Sequence, residues 1–337
     1  MRDNLRVEPD APNGESPLPV MLAYYVHDLS PFLLRFNETF GIRWYGLAYV
    51  AAFLLGIVVV RSLSRRGWCD IPPDKVSDFI IGGAIFGVLL GGRLGYMLFY
   101  RPGELMQDPV SFIRVWDGGM SAHGGIIGLM LYTLWYARRH QVGWRNIGDN
   151  LVVAAPIGLF LGRVANFING ELYGRVTSVS WAMQFPKELY DAPLETRQLA
   201  IHEAMQINPA WNTETAIIEN VAHSPQLREQ LAATLSPRHP SQIYEALLEG
   251  AVLFAILWIL RTRFRLRNGV LTGIFFLGYA VLRSIGELFR EPDAALTGPF
   301  TRGQFLSIFL VLIALGFFLS AWLRPAWPRG KEGSEKK

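Results

Sequence analysis

The chain has one cysteine, Cys69, in 337 residues, so no intramolecular disulfide can staple it. Its six histidines show no paired ligand spacing, which argues against a metal centre. Charged residues are scarce at 18%. No charged-then-apolar leader opens the chain: residues 1–20 are polar and contain proline, so no cleavable signal peptide is expected and the first span must direct insertion. The net charge is small, +4 from 32 basic and 28 acidic residues, and the basic residues bunch in loops. That pattern carries topology information and excludes a nucleic-acid footprint.

Hydrophobic residues are abundant at 51%, and they come in runs of roughly 17 to 23, a length that matches bilayer hydrocarbon thickness rather than a soluble core. The modest mean hydropathy of +0.23 then requires a sizeable polar segment between spans. The expected fold is an all-α polytopic membrane protein with seven transmembrane helices, near 44–60, 78–100, 118–137, 149–169, 241–260, 269–289 and 303–323. Asp28, Pro31 and Arg35 interrupt the stretch 20–36, where an interfacial helix or loop is expected. Lys and Arg number four in loop 61–77, three in 138–148, four in 261–268 and five in the tail, against two each in 101–117 and 290–302. Basic loops stay in the cytoplasm, so the N-terminus is out and the C-terminus in. The division is a polar or interfacial segment 1–43, helices one to four over 44–169, an external head 170–240, helices five to seven over 241–323, and a basic tail 324–337. Gly83, Gly87, Gly91 and Gly95, with Gly124/Gly128 and Gly158/Gly162, form small-residue faces suited to close helix packing.

Ionisable residues inside spans cost about 2.5–3.5 kcal/mol each on insertion scales, so each needs a partner or a purpose. They are Arg93, His123, Arg163, Glu245, Glu249, Arg283 and Glu287. At about 1.5 Å per residue the arginines and His123 lie some 8–10 Å beneath the outer surface, with Glu245 and Glu287 in the same layer and Glu249 a turn deeper. Structural readings stand beside this: an i, i+4 pair of Arg283 with Glu287, a cross-helix pair of Arg93 with Glu245, a packing role for His123, and an N-cap role for Asp149. Convergence at one depth favours a site, because three arginines exceed two nearby carboxylates and leave cationic charge for an anion. A phospholipid headgroup suits the depth and the planar guanidinium forks. Asn166 and Asn169 extend the polar face of Arg163 with amides that can hold hydroxyl or phosphate oxygens.

The run from Gly162 through Arg163, Asn166, Asn169 and Glu171 to Gly174 resembles the signature of prolipoprotein diacylglyceryl transferases. So do Arg43-Trp44-Tyr45-Gly46, Gly91 to Tyr96, Val115 to Ser121, His123-Gly124-Gly125, Arg238 to Glu245, and the stretches Tyr279 to Arg283 and Arg290 to Asp293. The resemblance spans about 42–325, leaving the first forty residues and 187–235 without a matching motif. It implies transfer of a diacylglyceryl group from phosphatidylglycerol to the thiol of a prolipoprotein lipobox cysteine, in the inner membrane of a bacterium, with a thioether formed and glycerol phosphate released. No cofactor is implied, since the leaving group is already on the lipid. Carried over, Arg163 and Arg283 bind the lipid phosphate and stabilise its developing charge. His123, the sole histidine within a span, is the expected general base, with a phosphate-donor role for its protonated form as the alternative. Asn166, Glu171 and Gly174 shape the headgroup pocket, with Asn169, Arg93, Glu245 and Glu287 as further substrate-binding residues. Tyr45 and Tyr100 hydrogen-bond lipid or anchor at the interface.

A transporter or channel for an anion would use the same charged layer, but the charges do not continue to the cytoplasmic face. A serine protease is disfavoured because Ser121 and His123 lie about 200° apart around one helix.

Overall fold

The computed structural model describes residues 24–36, 41–114, 118–292 and 298–323. The expected basic tail and the first 23 residues fall outside them, as do Trp116, Asp117 and Asp293. Seven helices coincide with the seven apolar runs: α1 (Trp44–Arg65), α2 (Val76–Tyr100), α3 (Ala122–His140), α4 (Trp144–Ile168), then, beyond three short helices, α8 (Ser241–Arg263), α9 (Val270–Gly286) and α10 (Arg302–Leu323). Five of them, α1, α2, α4, α8 and α10, are long and apolar enough to cross a membrane; α9 is apolar but shorter. α3 ends in Arg138, Arg139 and His140, which favour a helix C-terminus. Large apolar side chains along α1 stand exposed, among them Tyr49, Leu54 and Val58, an arrangement stable only against lipid. The protein is therefore a mostly helical, multi-pass membrane protein.

The glycine face of α2 does what its spacing predicts. A Cβ added at Gly91 would lie 2.6 Å from the Gly124 carbonyl oxygen and 2.8 Å from the Gly128 Cα, so the α2 and α3 backbones touch. Ser121 starts α3 by accepting the Gly124 N–H at 3.2 Å, which disposes of the protease pairing: its hydroxyl serves as a cap.

Asp149 requires a correction. α4 begins at Trp144, after an extended Gly143, so Asp149 sits more than a turn inside its own helix. Its carboxylate, fully buried, instead accepts from Gly269 N and Thr272 N at 2.8 Å each and from Thr272 Oγ1 at 2.7 Å. It caps the start of α9, whose first N–H groups have no partner within their own helix.

The described part of the stretch 20–36, residues 24–36, holds short strands where a helix or loop was expected. β1 (Tyr25–Val26) pairs in parallel with β4 (Met183–Gln184), and β2 (Phe32–Arg35) pairs antiparallel with β3 (Gly41–Arg43). Between α4 and α8 lie α5 (Leu194–Ile207), α6 (Glu214–Asn220) and α7 (Pro225–Thr234). They enclose a separate core of Leu189, Ala204, Ile217, Leu227 and Leu231, which Val26 joins from β1.

Candidate active site

Three helices distant in sequence supply a buried ionic cluster. α4 brings Arg163; α8 brings Glu245 and Glu249, one turn apart; α9 brings Arg283, with Glu287 next along the chain. A π-helical turn over Ala246–Val252, which carries Glu249, interrupts α8, a device frequent at functional sites. Arg163 donates through Nε and Nη2 to Glu249 Oε2 at 3.2 and 3.0 Å, and its Nη1 forms an ion pair with Glu245 Oε2 at 2.9 Å without hydrogen-bonding geometry. Arg283 Nη1 reaches Glu245 Oε1 at 2.5 Å and Glu249 Oε1 at 3.4 Å, and its Nη2 pairs with Glu287. Arg290 Nη1 adds a contact to Glu245 at 3.5 Å.

Glu245 and Glu249 have no exposed side-chain surface, while Arg163 and Arg283 keep 15% and 14% of theirs. The glutamates thus lie behind and the guanidinium groups in front. An anion entering from the open side meets cations first. The glutamates also hold the forks in place before it arrives, so little reorganisation is needed when charge develops.

One turn along α4 from Arg163, Asn166 donates to Glu171 Oε1 at 3.2 Å and to the Tyr45 hydroxyl, which itself donates to Glu171. Gln242 Nε2 fixes the Glu171 backbone carbonyl at 2.8 Å. Lys187 stands 3.9 Å from Glu171 Oε2; burial, with Arg43 nearby, holds its ammonium below the ordinary lysine value, against the pull of Glu171. Asn169 Oδ1 is buried with no hydrogen-bond partner among the described residues, an acceptor available to a hydroxyl. The sequence-predicted Arg163, Arg283, Glu245 and Glu287 therefore come together, and Tyr45, Asn166 and Glu171 form an adjoining polar set.

Others do not join them. Arg93 does not pair with Glu245. Its guanidinium donates to the carbonyls of Phe112 (3.1 Å), Ser111 (2.5 Å), Arg114 (3.0 Å), Gly119 (3.1 Å) and Gly118. The connection after α2 folds back over the helix end and turns its carbonyls towards the guanidinium, so the buried charge is satisfied by organising that loop. Gly174 packs rather than lining a pocket: its N–H donates to the His239 carbonyl at 2.9 Å, and a Cβ there would lie 2.6 Å from that oxygen. Tyr100, 63% exposed at the end of α2, stacks on Tyr96, as an interfacial anchor does. His123 is exposed in the first turn of α3, with no hydrogen bond or ion pair to the cluster among the described residues.

The charge count needs correcting too. Among the described residues, three arginines, Arg163, Arg283 and Arg290, face three glutamates, Glu245, Glu249 and Glu287. Glu249, a turn beyond Glu245 on α8, is a principal partner of Arg163 that the sequence reading left out of the site; its i, i+4 spacing from Glu245 was the available signal. Lys187 had no such signal, since it lies in the head and reaches Glu171 only through the fold.

Fold and site together define a polytopic helical membrane protein with a buried arginine–glutamate centre and an adjoining tyrosine–asparagine–glutamate set. Residues 31–320 match the family described as prolipoprotein diacylglyceryl transferase, and the chain belongs to that family. It is 40% identical to the phosphatidylglycerol–prolipoprotein diacylglyceryl transferase of Gluconacetobacter diazotrophicus over 294 residues, 85% of this chain and 89% of that protein. To the proteins of the same description from Azospirillum brasilense and Psychrobacter arcticus the identities are 41% over 291 residues and 38% over 305, covering 85% and 87% of this chain and 92% and 94% of theirs.

Proposed function

We propose that this chain transfers the diacylglyceryl group of phosphatidylglycerol to the lipobox cysteine of a prolipoprotein. The thiol gives up its proton, the sulfur attacks the glyceryl carbon bearing the phosphate, the carbon–oxygen bond breaks, and glycerol phosphate leaves with the electron pair. The observation that carries this reading is the partial exposure of Arg163 and Arg283 in front of two fully buried glutamates, from helices 120 residues apart in sequence (283 − 163). Two guanidinium groups grip phosphate oxygens, and their attraction grows as the leaving phosphate gains charge in a site of low dielectric.

Tyr45, Asn166, Asn169 and Glu171 hold the glycerol hydroxyls, one helical turn from Arg163. Glu245, Glu249 and Glu287 position the arginines. His123 takes the thiol proton; the attacking species is the thiolate, which neighbouring cations favour. Seven spans cross the inner membrane of a bacterium, N-terminus out and C-terminus in, with 170–240 as the external head.

The test is transfer of labelled diacylglyceryl from phosphatidylglycerol to a synthetic lipobox peptide by the purified protein, beside its Arg163→Ala variant. Thioether formed by the wild type and lost in the variant is the expected result. Absence of transfer by folded wild type across several anionic lipids would discard the transferase reading.

A further inference from the structure

At the opposite end of α1 from Tyr45 lies a second cationic feature with no part in the reaction. Val58, Arg61, Ser62, Arg65 and Arg66, at helical spacings along α1, line a cleft of about 410 Å³ with no acidic side chain in its wall. Twenty residues of helix separate Arg65 from Tyr45, about 30 Å at 1.5 Å per residue, which is the thickness of the hydrocarbon layer. If Tyr45 stands at one membrane face, the cleft stands at the other.

Both flanks of the cleft are fixed. Arg61 donates from Nε to the Pro73 carbonyl at 3.2 Å and from Nη2 to Ser77 Oγ at 2.5 Å, which leaves its Nη1 free of those bonds. The Arg66 guanidinium lies over the Trp258 ring, 5.4 Å from its centroid. Arg65, which also lines the cleft, is exposed. Arginines that serve topology alone need no such ordering, because the membrane reads their charge and not their geometry. Below the cleft, Val58, Leu54 and Leu55 continue along the helix at 62%, 58% and 44% exposure, an apolar track for an acyl chain.

We infer that this cleft binds the phosphate of an anionic phospholipid in the leaflet opposite the active site, with its chains lying along Leu54 and Val58. The apolar track favours an amphiphile over free phosphate, and the paired guanidinium groups favour a phosphodiester or phosphomonoester over a zwitterion.

The test is native mass spectrometry of the purified protein with dioleoyl phosphatidic acid, and separately with inorganic phosphate. Two variants are compared with wild type: Arg65→Gln/Arg66→Gln, which removes charge, and Ser62→Trp, which fills the cleft while keeping every arginine. Wild type should retain one more phosphatidic acid than either variant, with an affinity at least about tenfold higher. All three should transfer diacylglyceryl at the same rate, which also shows that the variants are folded. Equal retention by all three overturns the proposal. Loss in the charge variant alone reduces the effect to general attraction and overturns it too, and so does protection by inorganic phosphate at the same concentration. Should the double variant fail to fold, Ser62→Trp decides by itself. Because retention is counted without turnover, its failure is distinguishable from failure of the transferase reading.

Discussion

Arg163 and Arg283 are each held by more than one carboxylate, so replacing either leaves buried glutamate charge uncompensated as well as removing a phosphate ligand. Arg163→Ala and Arg283→Ala should each lower transfer at least about 100-fold, the scale of losing a charge-stabilising donor. Arg163→Lys should fare little better, because one ammonium cannot span Glu245, Glu249 and a phosphate together. Radiolabel transfer at saturating peptide, with a thermal melt to verify folding, separates catalysis from stability. His123→Gln should lose most activity, and recovery of rate at higher pH would mark a base role that hydroxide replaces. Asp149→Asn is the opposite case. It keeps one acceptor for α9 but loses the charged one, at a cost of about 1.5–3 kcal/mol, so the melting temperature should fall while activity per folded molecule stays constant.

Element packing is where glycine spacing proved informative. The steps at Gly83, Gly87, Gly91 and Gly95 are legible in one dimension because a helix repeats its face every three to four residues. Gly128→Val should therefore wedge α2 from α3: a Cβ at that position would lie 2.9 Å from the Gly91 Cα, and backbone cannot yield as a side chain can. A loss of about 1–3 kcal/mol is expected, seen as a lower denaturation midpoint. The loop anchored by Arg93 lies beyond that kind of reading. Its five carbonyl partners span Ser111 to Gly119 without periodicity, so nothing in the spacing distinguishes a loop organiser from a substrate-facing arginine. For the same reason the cap role of Asp149 was assigned to the wrong helix; the residue type was right and its partner was tertiary.

At the scale of the whole molecule, the head is tied to the membrane helices through a seam around His27. This ring is 4% exposed, stacked on Phe185 and edge-on to Phe167, and burial lowers its affinity for a proton. The unfolded seam therefore binds a proton more readily than the folded one. Stability of the seam is full above the ordinary histidine value of about 6.5 and declines as pH falls below it. The protection of amides in β1 and β4, measured against the intrinsic exchange rate at each pH, should fall between pH 7.5 and 5.5, and His27→Phe should flatten that dependence. Orientation has its own test. Burial pushes the Cys69 thiol up to about 11, so the native protein should react little with maleimide at neutral pH. Thr213→Cys should then be labelled by an impermeant maleimide in intact spheroplasts and Arg139→Cys only after lysis; the reverse pattern would invert the proposed topology.

Hydrophobic run length located the five helices long and apolar enough to cross a membrane, because a bilayer demands a fixed rise that only about twenty apolar residues supply. Composition and motif likewise made Arg163, Arg283, Asn166 and Glu171 visible, since charge and amide groups within such runs are costly and therefore noticeable. Partnership was decided by tertiary structure alone. Which carboxylate faces Arg163, whether Arg93 meets a glutamate or five carbonyls, and how Lys187 reaches Glu171 depend on helix rotation and loop return. These are relations between elements far apart in the chain, and residue spacing encodes geometry only within one element.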